Sequence, residues 1–303
     1  MNNNPTKMQL SIVVPTKDRP TLLLAAIQSI FAAIPSDGVE VIVVDDRSVS
    51  PVAASIQITD SRLRVLKNEA TPGASGARNF GVSHAFADRI LFLDDDDLML
   101  PNYASWVQDQ DADYGHSSSL KFDGLEIPDN IPVFPGGQAV NLNELGKFRK
   151  KIAGLGCGFW VNRSVFLDVG GIAEDIRVNE DTDFSIRLLK AGYKGISSPH
   201  AGVMVRNHEA DGNERPHLTH AAGAVERAKY FGMILSRHGD WLATQPDATK
   251  FLLRRQLKLL THAGEVEAAT ELLASKAAKP YRAGLHFYYI AEKLASAFKS
   301  KRN

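Results

Sequence analysis

The sequence predicts an α/β fold, Rossmann-like with a mostly parallel sheet and flanking helices, followed by a C-terminal helical appendage. Three observations carry this. Short apolar runs alternate with helical patterns from Leu10 to about Asp94, carboxylates follow two of those runs directly, and beyond Arg215 the pattern is purely helical.

The strand-like runs are LSIVV at 10–14, VEVIVV at 39–44, LRVL at 63–66 and ILFL at 90–93. Their alternation with longer helical stretches is the pattern of βαβ units. Between the first two lies RPTLLLAAIQSIFAAI, where Pro20 suits a first helical turn and Leu23, Ile27, Ile30, Phe31 and Ile34 form one apolar stripe. Residues 73–87 read as a second helix, and PNYASWVQD as a third, opened by Pro101. From Asp111 to about Gly156 periodicity fades. IPDNIPVFPGGQ is too rich in Pro and Gly for regular structure, so residues 128–139 are expected to form a mobile loop that orders over a ligand. Order returns with the apolar segment GCGFWV, then a helix in NEDTDFSIRLLKAG and strands in YKGIS and GVMVR. Helices are expected at 219–238, 248–263, 265–276 and 283–299. The division expected is an α/β domain over 1–215 and a helical region over 216–303.

With 44% hydrophobic and 23% charged residues and a formal net charge of zero, the 303-residue chain falls among globular proteins, and nothing points to a nucleic-acid partner. The single Cys157 sits among glycines and aromatics, where burial is its expected role. The polar N-terminus MNNNPTK lacks a secretory pattern, and no run reaches the roughly 18 apolar residues a membrane span needs, so a cytoplasmic location is expected.

The segment ILFLDDDDLMLP carries the most chemistry, because Asp94, Asp95, Asp96 and Asp97 follow a buried strand. If the extended form persists, Asp94 and Asp96 share one face and Asp95 and Asp97 the other. Two carboxylates about 4 Å apart repel by roughly 4 kcal/mol at an effective dielectric near 20, so a cation is required. Mg²⁺ or Mn²⁺, hard ions that share phosphate oxygens, are the candidates; the plainer reading is a solvated acidic turn. Asp45 and Asp46 also end a parallel strand, at the edge where open α/β sheets bind ligands, although turn residues would look the same. In TPGASGARN, Gly73 and Gly76 allow close approach at a helix start, and Arg78 reads equally as nucleotide contact or surface residue. On the helix of NEDTDFSIRLLKAG, Asp181, Phe184 and Leu188 share one face, while Asp183 and Arg187 can pair facing water. Asp181 is thus the functional candidate, against a reading in which all three acids only favour a helix N-terminus. In VRNHEADGN, His208 is suited to metal or phosphate.

Taken in order, SIVVPTKDR, VVDDRS, GASGARN, FLDDDD with LMLP, the VGG at 169–171 and NEDTDFSIRLLKAGYK resemble family 2 inverting glycosyltransferases of the GT-A fold, over roughly residues 9–210. The resemblance implies transfer of a sugar from a nucleotide-diphosphate sugar, with a UDP-sugar expected, to a glycan or glycolipid hydroxyl. It sets Pro15, Thr16, Asp18, Asp46, Arg78 and Asp95 at the nucleotide, Asp94 toward the ribose, and Asp96 at the metal and diphosphate, with the metal role open to sharing by Asp95 or Asp97. Glu180 and Asp181 match the Glu-Asp dyad whose aspartate is the general base; Arg206 and His208 match the Arg-X-His that closes over the diphosphate. Similar proteins build bacterial surface polysaccharides on lipid-linked acceptors. IAEKLASAFKSKRN, apolar on one side and basic at its end, reads as a packing helix or as peripheral membrane contact. The rival classes are a non-catalytic GT-A nucleotide-binding module and a receiver-like signalling domain.

Overall fold

The computed structural model describes residues 8–34, 38–207 and 222–300, the last four of these as backbone only. The described residues form two compact units. One runs to Leu145 and resumes at Ile152 through the last strand; the other joins Gly146–Lys151 to the helices beyond residue 221.

In the first unit the chain forms β1 (Leu10–Thr16), α1 (Pro20–Ala33), β2 (Val39–Asp45), β3 (Leu63–Lys67), α2 (Ala74–Ser83) and β4 (Arg89–Leu93). There follow β5 (Leu98–Met99), α3 (Tyr103–Gln108), β6 (Tyr114–Phe122), β7 (Val140–Asn141), β8 (Cys157–Asn162), α4 (Arg163–Asp168), α5 (Glu180–Ala191) and β9 (Gly195–Arg206). These strands make one sheet in the order β3-β2-β1-β4-β8-β6-β9-β5, with β7 also on β9. β3, β2, β1 and β4 are mutually parallel, whereas β8 runs antiparallel between β4 and β6. Every residue of β1 and β2 is buried, as expected for inner parallel strands with both faces covered. Alternation assigns the faces: Ile12 and Val14 pack with Leu23, Ile27 and Ile30 of α1, while Val13 packs with Ala77 and Val82 of α2. Each such buried side chain contributes about 1.5–3 kcal/mol. Since β2 and β4 flank β1 on opposite sides, the loops after β1, β2 and β4 open on one crevice at the C-terminal edge.

Four expectations change. β6 crosses a stretch expected to be irregular; Ser117, Ser118 and Ser119 hide the strand pattern, and pairing with β8 and β9 creates it. YKGIS and GVMVR belong to one strand, β9, whose register on β6 jumps from His116↔Ser197 to Ser118↔Ala201. That bulge takes up Pro199, which cannot donate to a ladder. The third helix starts at Tyr103 after the left-handed Asn102 (φ 72°), leaving Pro101 in the preceding turn. Finally, the loop over 128–139 has no helix and ends at β7, but it is tethered at its middle. Phe134 is buried against Tyr103 and Trp106 at ring distances of 5.2 and 5.4 Å. Its N–H donates to the Pro101 carbonyl, and Trp106 Nε1 donates to the Gly137 carbonyl. A lid motion of the whole segment would have to pull Phe134 out of the core.

The second unit contains α6 (Ala224–Arg237), α7 (Gly239–Ala243), α8 (Pro246–His262), α9 (Val266–Ala274) and α10 (Arg282–Ser300). Leu253, Leu257, Leu260, Leu273 and Leu285 form its core. Gly146–Lys151 joins it through Phe148, whose ring meets Phe251 at 5.5 Å and whose N–H donates to Asp247 Oδ2 at 2.6 Å. No helix among the described residues is long and apolar enough to cross a membrane.

Candidate active site

β4 delivers its four aspartates to the crevice not as a continued strand but as a turn, in which the Asp97 N–H donates to the Asp94 carbonyl at 3.2 Å. The face-sharing expected of an extended run is therefore replaced. Asp94, Asp96 and Asp97 each bring a carboxylate oxygen within 4.8 Å of the others. Asp95 turns toward β1, accepting from Thr16 Oγ1 at 2.6 Å and from Arg19 Nη1 at 3.3 Å. Arg19 Nη1 also donates to Asp96 Oδ2 at 2.7 Å. Asp95, Asp96 and Asp97 are only 5%, 4% and 2% exposed, so water screens them poorly. Burial, then the charge of Asp96, pushes the Asp95 carboxyl up to about 7; burial, then Asp96 and Asp94, holds Asp97 well above its usual range. Protons and Arg19 thus share the charge balance here. Three converging carboxylate oxygens, two of them on buried residues, are a donor set that fits a hard divalent ion such as Mg²⁺ or Mn²⁺.

Asp94 is located by two neighbours. Its N–H donates to the Gly156 carbonyl at 3.0 Å, and a Cβ on Gly156 would stand 1.9–2.0 Å from the Asp94 carboxyl atoms. A side chain there would displace the Asp94 carboxyl. On its other side Arg78, 4% exposed, donates to Asp94 Oδ1, while its Nη1 lies 3.5 Å from Glu180 Oε1. Arg78 is therefore no surface residue: it ties the acidic turn to the start of α5. Gly76 lets the first turn of α2 approach that loop, since a Cβ there would meet the Thr71 carbonyl oxygen at 1.9 Å.

The left-handed Asn179 (φ 68°) sets the start of α5. Glu180 lies beside Asp181, Arg78 and Asp94, and burial followed by the Asp181 charge raises its carboxyl to about 7 despite Arg78. Asp181 is half-buried, with Oδ1 accepting from the Thr182 N–H at 2.6 Å. Phe184 and Leu188 on the same face are fully buried, as expected. The expectation for Asp183 is overturned. It is 0% exposed and receives Arg187 Nε at 2.8 Å, while Arg187 Nη1 donates to the Val169 and Gly171 carbonyls of the VGG turn. The side expected to face water is instead covered by that turn, so the pair braces the site. Asp183→Asn should accordingly cost about 3–5 kcal/mol of stability, the usual penalty for breaking a buried pair, measurable by denaturant unfolding.

The loops after β1 and β2 interlock. Asp18 (φ 55°) accepts from the Val49 N–H at 2.7 Å and donates its own N–H to Ser48 Oγ at 2.8 Å. Asp46 accepts from the Gly73 N–H at 2.8 Å and from Asn68 Nδ2 at 2.7 Å, which pins the 68–73 loop. Pro15 and Thr16 end β1 beside the acidic turn, and Thr16 reaches it through Asp95. Arg206 closes the far side, its N–H donating to Asp97 Oδ1 and its Nε to the Asp96 carbonyl, both at 3.0 Å. His208 lies outside the described residues. Cys157 is half-buried against the core, and burial, then Asp97, push its thiol well up.

Sequence reasoning passed over Arg19 and Gly156, and gave the Asp183–Arg187 pair without its burial under the VGG turn. Arg19 stands inside a quoted motif, and a basic residue after β1 opposite four acids was a usable signal; Gly156 lies 62 residues from its partner and gave none.

A parallel-strand crevice with an acidic turn at its edge, bridged by an arginine to a helix that starts with a Glu-Asp dyad, is a layout of the GT-A fold. Comparison with known proteins agrees. Residues 11–114 match the family model described as "Glycosyl transferase family 2". The chain is 30% identical over 190 residues to an uncharacterized glycosyltransferase of Haemophilus influenzae, covering 60% of this chain and 62% of that protein. It is 27% identical over 151 residues to the Escherichia coli UDP-Glc:alpha-D-GlcNAc-diphosphoundecaprenol beta-1,3-glucosyltransferase WfgD, covering 49% of this chain and 57% of that protein. It thus spans less than two thirds of the length of either. The structure of S. aureus TarS 1-349 in complex with UDP-GlcNAc has the same fold, with a TM-score of 0.62 at 16% identity over 97% of this chain and 92% of that one.

Proposed function

We propose that this chain is an inverting glycosyltransferase that moves a sugar from a nucleotide-diphosphate sugar to the hydroxyl of a glycan or glycolipid acceptor in surface-polysaccharide synthesis. The observation that carries the proposal is the Arg78 bridge, which sets the acidic turn of β4 and the Glu180–Asp181 start of α5 side by side. One group of residues is suited to a divalent cation that would carry a diphosphate, and the other to a hydroxyl proton. In this reading Asp181 takes the proton from the acceptor oxygen as that oxygen attacks the anomeric carbon, so inversion follows from a single displacement. Glu180, held by Arg78, orients the dyad. Asp94, Asp96 and Asp97 would hold Mg²⁺ or Mn²⁺, an ion that supplies positive charge against the departing diphosphate when bound. Pro15, Thr16, Asp18 and Asp46 shape the nucleotide end, and Arg206 faces the diphosphate. A UDP-sugar donor and a lipid-linked diphosphate acceptor draw support from the specificity that the E. coli relative is named for.

The test is calorimetric titration of the chain with UDP, GDP and their sugar conjugates, with and without Mn²⁺, followed by transfer assays with the donor that binds. Affinity should depend on the cation, and metal-independent binding of equal strength would remove the acidic turn from the site. The pH dependence has a definite sign. Asp95 and Glu180 are raised to about 7, above their unfolded values near 4, so the stability this lends the metal-free protein is present below pH 4 and lost as pH rises through 7. A cation at Asp94, Asp96 and Asp97 disfavours those neighbouring protons through its charge. The rise in melting temperature on adding Mn²⁺ should grow between pH 6 and pH 8, and an increment that shrinks over that range would oppose the assignment.

A further inference from the structure

The chain as a whole is neutral, but its charge is divided between the two units. Gly146–Lys151 with Arg215–Asn303 carries 19 Lys and Arg against 7 Asp and Glu, a net +12, and the remainder of the chain, with 16 against 28, carries −12. Among the described residues the same unit exposes the largest aromatic and apolar side chains of any helix: Phe287 at 78%, Ile290 at 57% and Leu294 at 57%, all on α10. At 100° per residue these three fall within an arc of about 60°. Leu285, through which α10 packs into the unit's core, points nearly the opposite way. The helix therefore has two apolar faces, and its own unit covers only one. Exposed Arg282, His286 and Lys293 border the uncovered stripe on one flank. On the other flank, Arg254 of α8 lies over the Tyr288 ring at 5.5 Å and Lys250 over Tyr281 at 5.2 Å.

We infer that the helical unit docks on an anionic lipid surface, with Phe287, Ile290 and Leu294 entering the headgroup boundary and the surrounding basic side chains meeting lipid phosphates. An apolar stripe bordered by Lys and Arg is the pattern of helices that lie in that plane, and α10 is not apolar enough to cross it. Charge decides between this occupant and a second copy of the chain: pairing two units of +12 through this face sets like charge against like, whereas an anionic surface attracts both the unit and its flanks. Docking needs neither donor nor acceptor, so it stands or falls apart from the catalytic proposal.

The experiment is co-sedimentation of the full chain with vesicles of phosphatidylcholine alone and of phosphatidylcholine containing one third phosphatidylglycerol. Binding is expected to the anionic vesicles, to be weak on the neutral ones and to fall as salt is raised. Phe287→Ser with Leu294→Ser should weaken it at least about tenfold, with circular dichroism and melting unchanged because both side chains are exposed. Lys250→Glu with Lys293→Glu, both exposed on the flanks of the stripe, should weaken it without touching the stripe, and carries the test should the first variant misfold. Equal binding to neutral vesicles, binding unaffected by either variant, or no binding at all would overturn the inference. So would sedimentation velocity showing a dimer that the Phe287→Ser, Leu294→Ser variant converts to monomer, since the stripe would then be a contact between copies.

Discussion

Asp181→Asn should lower the turnover of sugar transfer by about 10²–10⁴-fold, the usual contribution of a positioned acid or base, and leave donor affinity nearly unchanged. Asparagine keeps the shape and can still accept from the Thr182 N–H, so the start of α5 survives. What it cannot do is take a proton. Glu180→Gln provides the comparison, because Glu180 lies one residue away and is raised to about 7, a value that would also suit a base. Its contact with Arg78 marks it as an orienting group, so its loss should be the smaller one. Should Glu180→Gln cost more turnover than Asp181→Asn at equal melting temperature, the base is Glu180. Asp183 cannot serve as a neutral control on this helix, since its expected effect falls on stability.

Asp96→Ala should remove most of the cation-dependent gain in nucleotide-diphosphate affinity, about 10²-fold, at least the loss seen when a partner of a metal ligand is deleted. Asp96 is the member of the trio shared with Arg19, and Asp95 remains to hold Arg19 in the variant. The fold should therefore persist, and the effect should appear in calorimetry with Mn²⁺ but not without it. Gly156→Ala reaches the same site without removing a charge. Its Cβ would displace the Asp94 carboxyl, so it should reproduce a large part of the loss. Full cation-dependent binding in both variants would show that the turn at the end of β4 holds no metal.

Most of what made the site legible was local. Apolar runs followed at once by carboxylates put Asp46 and Asp94–Asp97 at the strand ends, and the structure has both sets at one edge of the sheet. Helical spacing put Asp181, Phe184 and Leu188 on one face, and the last two are buried. The reading failed where a side chain's surroundings come from far along the chain. Asp183 looked like half of an exposed i,i+4 pair, yet the VGG turn closes over it. Arg78 looked equally like surface or ligand contact, and its place was decided by Asp94 and Glu180, 16 residues away and on another element.

The sequence by itself determined the α/β architecture, the parallel strands β1 to β4, the helical tail and the residues that could carry chemistry, because period and capping act within a few residues. Tertiary structure alone decided that the four aspartates form a turn, that Asp94, Asp96 and Asp97 are the three that converge, and that Gly156 leaves room for Asp94. It also decided that Phe134 tethers the Pro-Gly loop and that α10 keeps an uncovered apolar face. The physical reason is common to all of these. A residue's own preferences select helix or strand, but whether its charge is buried, paired or left facing solvent depends on neighbours that only the folded chain brings within a few ångströms.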